Sequence, residues 1–450
     1  MPERMIKPFL RKIIPEPLIS VYHLILAHVA AFYYGYPSQQ LIVIGVTGTN
    51  GKSTTVQFIG RLLEHAGERV GWTSTASFKV ADHEWVNDKK MTMLGRFQTQ
   101  KLLHQMVKSG CRYAIVETSS QGIAQFRHVG INYDIAVFTN LTPEHIEAHG
   151  GFENYKAAKG AFFASLKKGL RKKIDRKEID KTIIVNLDDL HAEYFLSFGA
   201  DRSTGFSMRN TQRPFARLNT APVIATEVQF SGTCTLFTYD DLLFHFKPIG
   251  PFYFYNLLAA MTVARELGVG SQALRAAVES LEPVPGRLEN IDEGQPFTVI
   301  VDYAYEPAAL LALYQAIALI NHERIIHILG SAGGGRDVAR RQVLGRMAAQ
   351  NDDIVIVTNE DPYDESPMQI ITDVADAAQQ EGKKDETDLF RILDREKAIE
   401  YAIALAQPKD LILITGKGSE PVMAVAQGKK IPWDDRLVAR KILKKQYGST

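Results

Sequence analysis

"VIGVTGTNGKSTTVQFIG", residues 43–60, carries a glycine-rich loop and Lys52 between an apolar run and an amphipathic one. Leu41 to Ile44 are rich in β-branched residues, as in a strand, and Val56 to Leu63 place apolar residues at helical spacing. Backbone N–H groups at a helix N-terminus form an anion cradle, and a lysine adds a charge for terminal phosphates. The segment therefore predicts a strand–loop–helix unit that binds a nucleoside triphosphate.

The glycine spacing departs from the standard phosphate loop. That pattern, G-x-x-x-x-G-K-[ST], would need a glycine at Val46, whereas this loop has Gly45, Gly48 and Gly51. An ordinary glycine-rich turn is the alternative. The nucleotide reading predicts ATP contacts from Gly48, Thr49, Asn50, Gly51, Lys52, Ser53 and Thr54, with the hydroxyl of Ser53 or Thr54 on Mg²⁺.

Composition limits the class of protein. The chain has 450 residues, 45% of them hydrophobic, and a net charge of +1, which predicts two or three globular domains and argues against nucleic-acid binding. Cys111 and Cys234 make no disulfide framework and have no metal-ligand spacing. A reducing compartment follows, and we expect a cytoplasmic protein, since the cytoplasm also supplies ATP.

The N-terminal segment resembles a membrane anchor at first sight. Arg4, Lys7, Arg11 and Lys12 precede an almost uncharged run, Leu18 to Tyr34. That run is shorter than the roughly 20 residues needed to span a bilayer, and no secretory cleavage site follows it. Two alternatives stay open: a helix packed on the body of the protein, or a helix that contacts a membrane surface or a partner.

Strand-like and helical runs alternate along the rest of the chain. The first series comprises the strands Tyr113–Glu117, Asp134–Thr139 and Ile183–Asn186 with the helix Thr99–Lys108, and the second comprises the strands Phe297–Asp302, Ile325–Leu329, Ile354–Thr358 and Leu411–Thr415. "PVPGRLEN", residues 283–290, reads as the linker between them, Thr220 to Lys247 is β-rich, and the basic stretch 167–181 reads as a solvated loop or helix face. We predict an α/β protein with a helical segment at 1–40, a central P-loop-type ATPase domain with a parallel sheet at 41–284, and a C-terminal Rossmann-like α/β domain at 285–450.

Polar residues follow the predicted strands of the first series. Glu117 ends "YAIVE", and His145 lies in "TNLTPEHIEAHG" after the strand "DIAVF". Open α/β sheets bind ligands at these strand ends, and Mg²⁺ prefers carboxylate, water and phosphate oxygens. We therefore predict a magnesium site beside the phosphate loop, although either residue alone would more often be an ordinary hydrogen-bonded polar group.

Ordered motifs along the chain resemble the Mur ligase family, the ATP-dependent peptide-bond-forming enzymes of peptidoglycan synthesis. The motifs are "GVTGTNGKSTT", "ETSSQGI", "FTNLTPEHIEAHGGFENYKAAKGAFF", "GPFYFYNLLAA", "PGRLE", "VDYAYEPAAL", "GGGRDVARR", "TNEDPYDESP", "TGKGSE" and "WDDRLVARKIL". The "EDP", "GKG-E" and "DDR-x-x-AR" elements resemble the tripeptide synthetase branch, which adds the third residue of the stem peptide. The resemblance implies that ATP phosphorylates an acceptor carboxylate and that an amine attacks the acyl phosphate.

The resemblance also implies roles for individual residues. It assigns catalysis to Lys52, Lys159, His145 and Glu117, metal binding to Ser53, Glu117, His145 and a carbamylated Lys159, and the nucleotide to Asn256, Arg287 and Asp302 in addition to the loop. Substrate contacts are expected from Thr92, Arg96, Ser119, Ser120, Arg336, Asp361, Pro362, Tyr363, Gly416 and Glu420. The family pattern is broken where Gln121, Tyr305 and Ser419 replace histidines and Tyr253 replaces an asparagine, but the phosphate loop and metal positions persist, which favours an active ligase.

The resemblance also bears on both substrates. Relatives that choose meso-diaminopimelate carry an arginine where this chain has Tyr363, followed by Asp364 and Glu365, so we expect L-lysine or a similar diamino acid. Tripeptide synthetases normally have an N-terminal domain that holds the uridine nucleotide, whereas only about forty residues precede the loop here. We therefore expect a monomer and a muramyl-dipeptide-type acceptor whose uridine end is weakly recognised. Membrane-surface contact through residues 1–40 stays an alternative to packing of this segment on the body of the protein. A ligase resembling folylpolyglutamate synthase and a non-catalytic membrane-surface scaffold are the alternatives.

Overall fold

The computed structural model describes residues 16–89, 91–143, 149–209, 215–335 and 338–448. The helices are α1 Glu16–Tyr33, α2 Lys52–His65, α3 Arg96–Lys108, α4 Ser120–Ala124, α5 Phe152–Lys168, α6 Ala192–Leu196, α7 Pro251–Glu266, α8 Ser271–Glu279, α9 Pro307–Ile317, α10 Ala339–Asn351, α11 Pro367–Gln380, α12 Arg395–Leu405 and α13 Asp435–Tyr447, with short 3₁₀ turns at Pro37–Gln40 and Ala426–Gly428. Among the described residues, no helix combines the length and the apolar character needed to cross a bilayer.

Strands form two large sheets and three small ones. They are β1 Ile42–Thr47, β2 Val70–Thr73, β3 Ser77–Val80, β4 His83–Val86, β5 Tyr113–Glu117, β6 Ile135–Phe138, β7 Lys172–Ile174, β8 Lys177–Ile179, β9 Thr182–Asn186, β10 Arg202–Ser207, β11 Val223–Ile224, β12 Thr226–Phe230, β13 Thr235–Tyr239, β14 Leu242–Phe246, β15 Glu289–Asn290, β16 Thr298–Asp302, β17 Ile325–Leu329, β18 Ile354–Thr358, β19 Leu389–Ile392, β20 Leu411–Thr415, β21 Val422–Val425 and β22 Lys429–Pro432. The predicted α/β fold with a parallel central sheet is confirmed.

The first sheet has nine strands in the order β11-β10-β9-β6-β1-β5-β2-β3-β4. β3 and β4 extend the edge next to β2 with antiparallel pairing. All other neighbouring pairs of this sheet, including β2 with β5, are parallel. Every residue of β1 is buried, because helices cover both faces of the sheet. Ile42, Ile44 and Val46 pack toward α2 and α7, whereas Val43 packs on the opposite layer with α3 and α5. This alternation places the loop after β1 between two packed layers.

The second sheet has six strands in the order β15-β16-β20-β17-β18-β19, and only β15 runs antiparallel to its neighbour. Its central strands, β17, β18 and β20, have the bounds that the sequence predicts. One face packs against α12 and α13 and the other against α9, α10 and α11. The predicted linker differs in one respect, because its last residues, Glu289 and Asn290, already form β15.

The basic stretch 167–181 was expected to be solvated, and that prediction is wrong for its two key lysines. The stretch forms the end of α5 and the antiparallel hairpin β7–β8. Lys172 and Lys181 are buried and both contact Asp134, at Nζ–O distances of 2.5 and 3.0 Å. Burial lowers the pKa of Lys172 to about 8, against the raising effect of Asp134. The carboxylate of Asp134 therefore fixes this hairpin to the start of β6.

Candidate active site

The glycine-rich loop turns tightly between β1 and α2. Gly51 has a φ of 79°, and a Cβ placed there would lie 2.1 Å from Oδ1 of Asn256. A Cβ at Gly48 would lie 1.9 Å from Oγ1 of Thr139. Only glycine fits at either position, because the loop backbone is pressed against α7 and against the end of β6. The loop therefore makes the tight, glycine-dependent turn between strand and helix that the sequence predicts.

Residues after β6 fix the shape of this loop. The Asn50 N–H donates to Oδ1 of Asn140 at 2.9 Å, and the Thr49 N–H donates to the Asn140 carbonyl at 2.9 Å. Oγ1 of Thr139 donates to the Asn50 carbonyl at 2.8 Å. These bonds hold the loop in place from the residues that follow a neighbouring strand.

Two lysines converge on the loop from different helices. Lys52 Nζ, at the start of α2, donates to the carbonyls of Gly48 and Thr49 at 3.1 and 2.5 Å. Lys159 Nζ, from α5, donates to the same Gly48 carbonyl at 2.7 Å and lies 4.4 Å from the ring centroid of Tyr155. Lys159 is only 1% exposed, so it is not the surface lysine that a helix position alone would predict. The two ammonium groups concentrate positive charge where the loop would hold phosphates.

Glu117 ends β5 beside the loop and organises several hydroxyl groups. It accepts hydrogen bonds from Ser53 Oγ at 2.8 Å, from the Thr75 N–H at 2.6 Å and from Thr75 Oγ1 at 3.0 Å. The Thr92 hydroxyl lies 3.0 Å from Thr75 Oγ1 and extends this network. Two predicted metal positions and one predicted acceptor position thus belong to one network. Sequence reasoning missed Thr75, whose position just after β2 was the available signal.

Three of the predicted metal ligands, Ser53, Glu117 and Lys159, lie in the described part of the chain. Among them, no cluster of three or more His, Cys, Asp or Glu side chains is placed to hold a metal ion. His145 lies outside the described residues. Mg²⁺ usually binds one or two carboxylates and completes its shell with water and substrate phosphates. Ser53 and Glu117 would supply one hydroxyl and one carboxylate ligand beside the loop, and water and substrate phosphates would complete the shell.

A cleft of about 340 Å³ extends from the loop toward the second sheet. Of the predicted residues, those that line it are Thr49, Asn50, Gly51, Lys52, Ser53, Thr54, Thr92, Glu117, Asn256, Arg287 and Asp302. Tyr255, Tyr303 and Tyr305 also line it and were not predicted as contacts. Aromatic side chains in the same cleft as the glycine-rich loop suit a nucleotide, because its base is flat and its phosphates are anionic.

Arg287 and Asp302 lie on the second-sheet side of the cleft. The Arg287 guanidinium lies 4.2 Å from the ring centroid of Tyr303, and its buried Nε has no hydrogen-bond partner among the described residues. The Asp302 carboxylate accepts from the N–H groups of Leu288 and Ala304 at 2.6 and 2.7 Å. Burial raises the pKa of Asp302, while Arg287 acts in the opposite direction. An unsatisfied buried donor facing a cleft is a reason to expect a ligand there.

One hydrogen bond joins the phosphate loop to the second sheet. Asn50 Nδ2 donates to Oε1 of Glu306 at 2.8 Å. Glu306 is also the N-cap of α9, where its carboxylate accepts from the N–H groups of Ala308 and Ala309. The position of the loop is therefore coupled to the first turn of a helix of the other sheet.

Two further predicted residues, Asp361 and Glu420, contact Lys417 beside the second sheet. Its Nζ is fully buried and contacts Oδ1 of Asp361 at 3.0 Å and Oε2 of Glu420 at 2.5 Å. Glu420 also accepts from the Tyr303 hydroxyl at 3.0 Å, and Tyr303 lines the cleft. Predicted positions from two separate motifs thus meet at one lysine, which sequence reasoning did not single out.

Glu360 is a second residue that sequence reasoning missed. It follows β18 by two residues, is 4% exposed, and its Oε2 has no hydrogen-bond partner among the described residues. Burial and the neighbouring Asp361 raise its pKa to about 7. Gly416, with a φ of 104°, leaves room for this carboxylate, since a Cβ there would lie 2.4 Å from Oε2. The signal in the sequence was the "EDP" motif itself.

Tyr363 and its neighbours form the loop after Pro362. Tyr363 has a left-handed backbone, with a φ of 51°, and its N–H donates to the Ala424 carbonyl at 3.2 Å. Asp364 accepts from the Gln427 N–H at 2.7 Å, and Glu365 pairs with Arg341 at 2.6 Å. The negative charge of Glu365 is therefore already matched within the protein.

Other predicted substrate residues lie away from the cleft. Arg96 begins α3 and donates to the carbonyl of Gln125. Ser119 caps α4 by accepting from the Gly122 N–H at 3.1 Å, and the hydroxyl of Ser120 lies 3.1 Å from Nε2 of His149. Arg336, like His145, lies outside the described residues.

Two family models match this chain: the Mur ligase middle domain over residues 46–264 and the Mur ligase, glutamate ligase domain over residues 286–418. The UDP-N-acetylmuramyl-tripeptide synthetase of Roseiflexus sp. (strain RS-1) is 35% identical over 434 residues, which cover 96% of this chain and 84% of that protein. The chain belongs to the Mur ligase family. Mur ligases are ATP-dependent, amide-forming enzymes.

Further relatives agree with this membership. The UDP-N-acetylmuramoyl-L-alanyl-D-glutamate--2,6-diaminopimelate ligase of Geobacillus kaustophilus (strain HTA426) is 34% identical, with 96% of this chain and 85% of that protein covered. A solved structure of a ligase with the same name superposes with a TM-score of 0.58 at 27% identity, over 91% of this chain and 79% of that one. The Mycobacterium tuberculosis folylpolyglutamate synthase, solved with ADP and AMPPCP, has a TM-score of 0.67 over 95% of this chain and 96% of that one, but at 16% identity this shows a shared fold alone.

Proposed function

We propose that this Mur ligase joins an amino acid to a muramyl-dipeptide-type acceptor in peptidoglycan precursor synthesis. The observation that carries the proposal is the convergence of Lys52 and Lys159 on the Gly48 carbonyl, beside the network of Glu117 and Ser53. Such a site concentrates positive charge and hydroxyl groups around phosphate oxygens. Electrostatic stabilisation of this kind is usually the largest contribution to catalysis of phosphoryl and acyl transfer.

The reaction has two steps. A carboxylate oxygen of the acceptor attacks the terminal phosphorus of ATP, which forms an acyl phosphate and releases ADP. The amine of the amino acid then attacks the acyl carbon, the carbon–oxygen bond to phosphate breaks, and the nitrogen loses a proton as the amide forms. Lys52 would stabilise the negative charge of both transition states. Bound Mg²⁺, held by Ser53, Glu117, His145 and carbamylated Lys159, would neutralise phosphate oxygens.

The nucleotide would occupy the cleft between the two sheets. We assign Asn256 to the adenine end, Asp302 to the ribose and Arg287 to the phosphates, with domains at 1–40, 41–284 and 285–450. The unsatisfied Nε of Arg287 and the bond between Asn50 and Glu306 support this arrangement. Since groups from both sheets contact one ligand, closure of the two domains would complete the site.

The amino acid is proposed to be L-lysine or a similar diamino acid. Tyr363 stands where family members that bind meso-diaminopimelate have an arginine, so the fork that pairs with a distal carboxylate is absent at this position. Glu360, buried and with an unsatisfied oxygen, supports recognition of an ammonium group. Higher turnover with meso-diaminopimelate than with L-lysine would contradict this choice.

The acceptor is proposed to be held through Thr92, Arg96, Ser119, Ser120, Arg336 and the strand-end residues Asp361, Pro362, Tyr363, Gly416 and Glu420. Its uridine end would then contribute little to binding. UDP-linked and UDP-free muramyl dipeptides should give comparable activity. A large loss on removal of UDP would show that a uridine site exists and would overturn the compact-acceptor proposal.

One experiment tests the whole assignment. Release of ADP and phosphate, together with the mass of the product, is measured with ATP, an acceptor and each candidate amino acid. Phosphate should appear only when acceptor and amino acid are both present, and Lys52→Ala should abolish it. Lys101→Ala, at an exposed lysine of α3, is the matched control. Undiminished ligation by Lys52→Ala would refute the proposal, and a product formed from a folate and glutamate would instead favour the sister ligase.

A further inference from the structure

Helix α1 packs on the protein with its small residues and exposes its large ones. Ala27, Ala30 and Ala31 are fully buried, whereas Phe32 and Tyr33 are each 72% exposed. The large apolar residues that face solvent on this helix are Leu18, Val21, Tyr22, Leu24, Ile25, Val29, Phe32 and Tyr33. A helix that served only the core would bury its large residues, so this orientation needs another explanation.

The inner face of α1 is fixed firmly to the body. A Cβ at Gly130 would lie 2.9 Å from the Ala27 carbonyl oxygen and 3.0 Å from the Ala31 Cβ, so the two backbones approach closely. At the end of α1 the Tyr36 N–H donates to the Ala31 carbonyl. The chain then continues into the first strand of the central sheet. The outward direction of the large residues is therefore set by packing.

The outer face continues onto α3. The ring of Tyr33 lies 6.3 Å from that of Phe97, which is itself exposed, and Lys101 lies one turn further along α3 and is exposed. Residues 17–36 contain no Asp, Glu, Lys or Arg, and α3 contains basic residues but no acidic one. The surface is thus apolar and bordered by positive charge.

We propose that this face, which we call the α1 face, lies on the surface of a bilayer that contains anionic lipids. In the sequence, residues 1–15 precede α1 and carry Arg4, Lys7, Arg11 and Lys12 against one acidic residue, Glu3. An exposed apolar helix face that follows a cluster of basic residues in the sequence matches the acyl and headgroup layers of an anionic membrane surface. Aromatic residues at one end of the helix suit the same boundary. This inference does not depend on the proposed reaction.

The test is co-sedimentation of the full chain with vesicles of phosphatidylcholine alone or with phosphatidylglycerol added. Binding should require phosphatidylglycerol and should weaken with salt. The double variant Ile25→Glu/Phe32→Glu should lower the partition coefficient at least tenfold. Its matched control is Leu243→Glu/Leu437→Glu, which adds the same charge at residues that are 61% and 66% exposed on other elements and should bind as the wild type does.

The basic residues are tested by glutamine at positions 4, 7, 11 and 12 together. Each basic residue near an anionic surface contributes about fivefold, so the loss of all four should weaken binding to phosphatidylglycerol vesicles by about 600-fold. Unchanged binding would overturn the role of anionic lipid. The proposal also falls if the wild-type chain binds neither vesicle or if Ile25→Glu/Phe32→Glu binds normally. A lipid-free dimer that this variant dissociates would show instead that the α1 face meets a second copy of the chain.

Discussion

Replacing Glu360 by glutamine should make the protein more stable above pH 7. The pKa of Glu360 rises from its ordinary value of 4.5 to about 7, chiefly because the carboxyl is buried. Between these two values the folded protein holds a proton that the unfolded chain has lost, so stability falls as pH rises through this window. Each pKa unit corresponds to about 1.4 kcal/mol, which gives a loss of about 3 kcal/mol by pH 8. A neutral glutamine of similar shape avoids that loss.

The assay is urea unfolding from pH 5 to 8, with hydrogen exchange of peptides that cover β18 as the readout, since the two large sheets need not unfold together. The difference in unfolding free energy between the variant and the wild type should grow by about 2.5 kcal/mol between pH 5 and pH 8, since the first part of the loss has already occurred at pH 5. Glu365→Gln is the control. A hydrogen bond from Arg341 lowers the pKa of Glu365, so its contribution changes only below pH 4.5 and its difference from wild type should stay constant across the range. Parallel curves for Glu360→Gln and wild type would refute the reasoning.

Two further predictions concern the phosphate loop. Gly51→Ala should weaken ATP binding at least tenfold, measured by calorimetry, because its Cβ would collide with Asn256; Gly67→Ala, with a φ of 84° and open space around it, has the same backbone strain without the collision and should leave ATP binding unchanged. Lys159→Ala should lose ligation and recover part of it with short-chain carboxylic acids, as expected if carbamylation supplies an oxygen ligand, whereas Lys156→Ala on the same helix should keep its activity; absence of rescue would count against carbamylation.

Local patterns allowed much of the fold to be predicted. The strands "IIHIL", "IVIVT" and "LILIT" match the structure residue by residue, because each is a short, mainly apolar run that follows a charged residue and is followed by glycine or asparagine. The antiparallel extension β2–β4 was not predicted, since each of its strands has only four residues and two of them mix charged with apolar side chains. Short edge strands depend on their neighbours more than on their own sequence.

The candidate site also contains residues that local sequence patterns predict and residues that they do not. Glu117 could be predicted because it ends a clear strand, but its partner Thr75 is 42 residues away and is identified only by the pairing of β2 with β5. Glu306 is 256 residues from Asn50. For Lys172 the charge pattern favoured solvent, and only the position of Asp134 explains its burial. Contacts between distant residues are set by the assembled sheets, which no local pattern encodes.

The Asp134 contacts have a consequence for how the protein is made. The two lysines that neutralise this carboxylate follow it by 38 and 47 residues in the chain. A ribosome therefore completes β6 before it synthesises either partner, and until residue 181 has emerged the interior strand carries a charge that burial would leave uncompensated. The nascent central sheet cannot bury this carboxylate with its partners until the hairpin β7–β8 has been synthesised. A fragment that ends between β6 and β8 would therefore stay incompletely folded and accessible to proteases and chaperones.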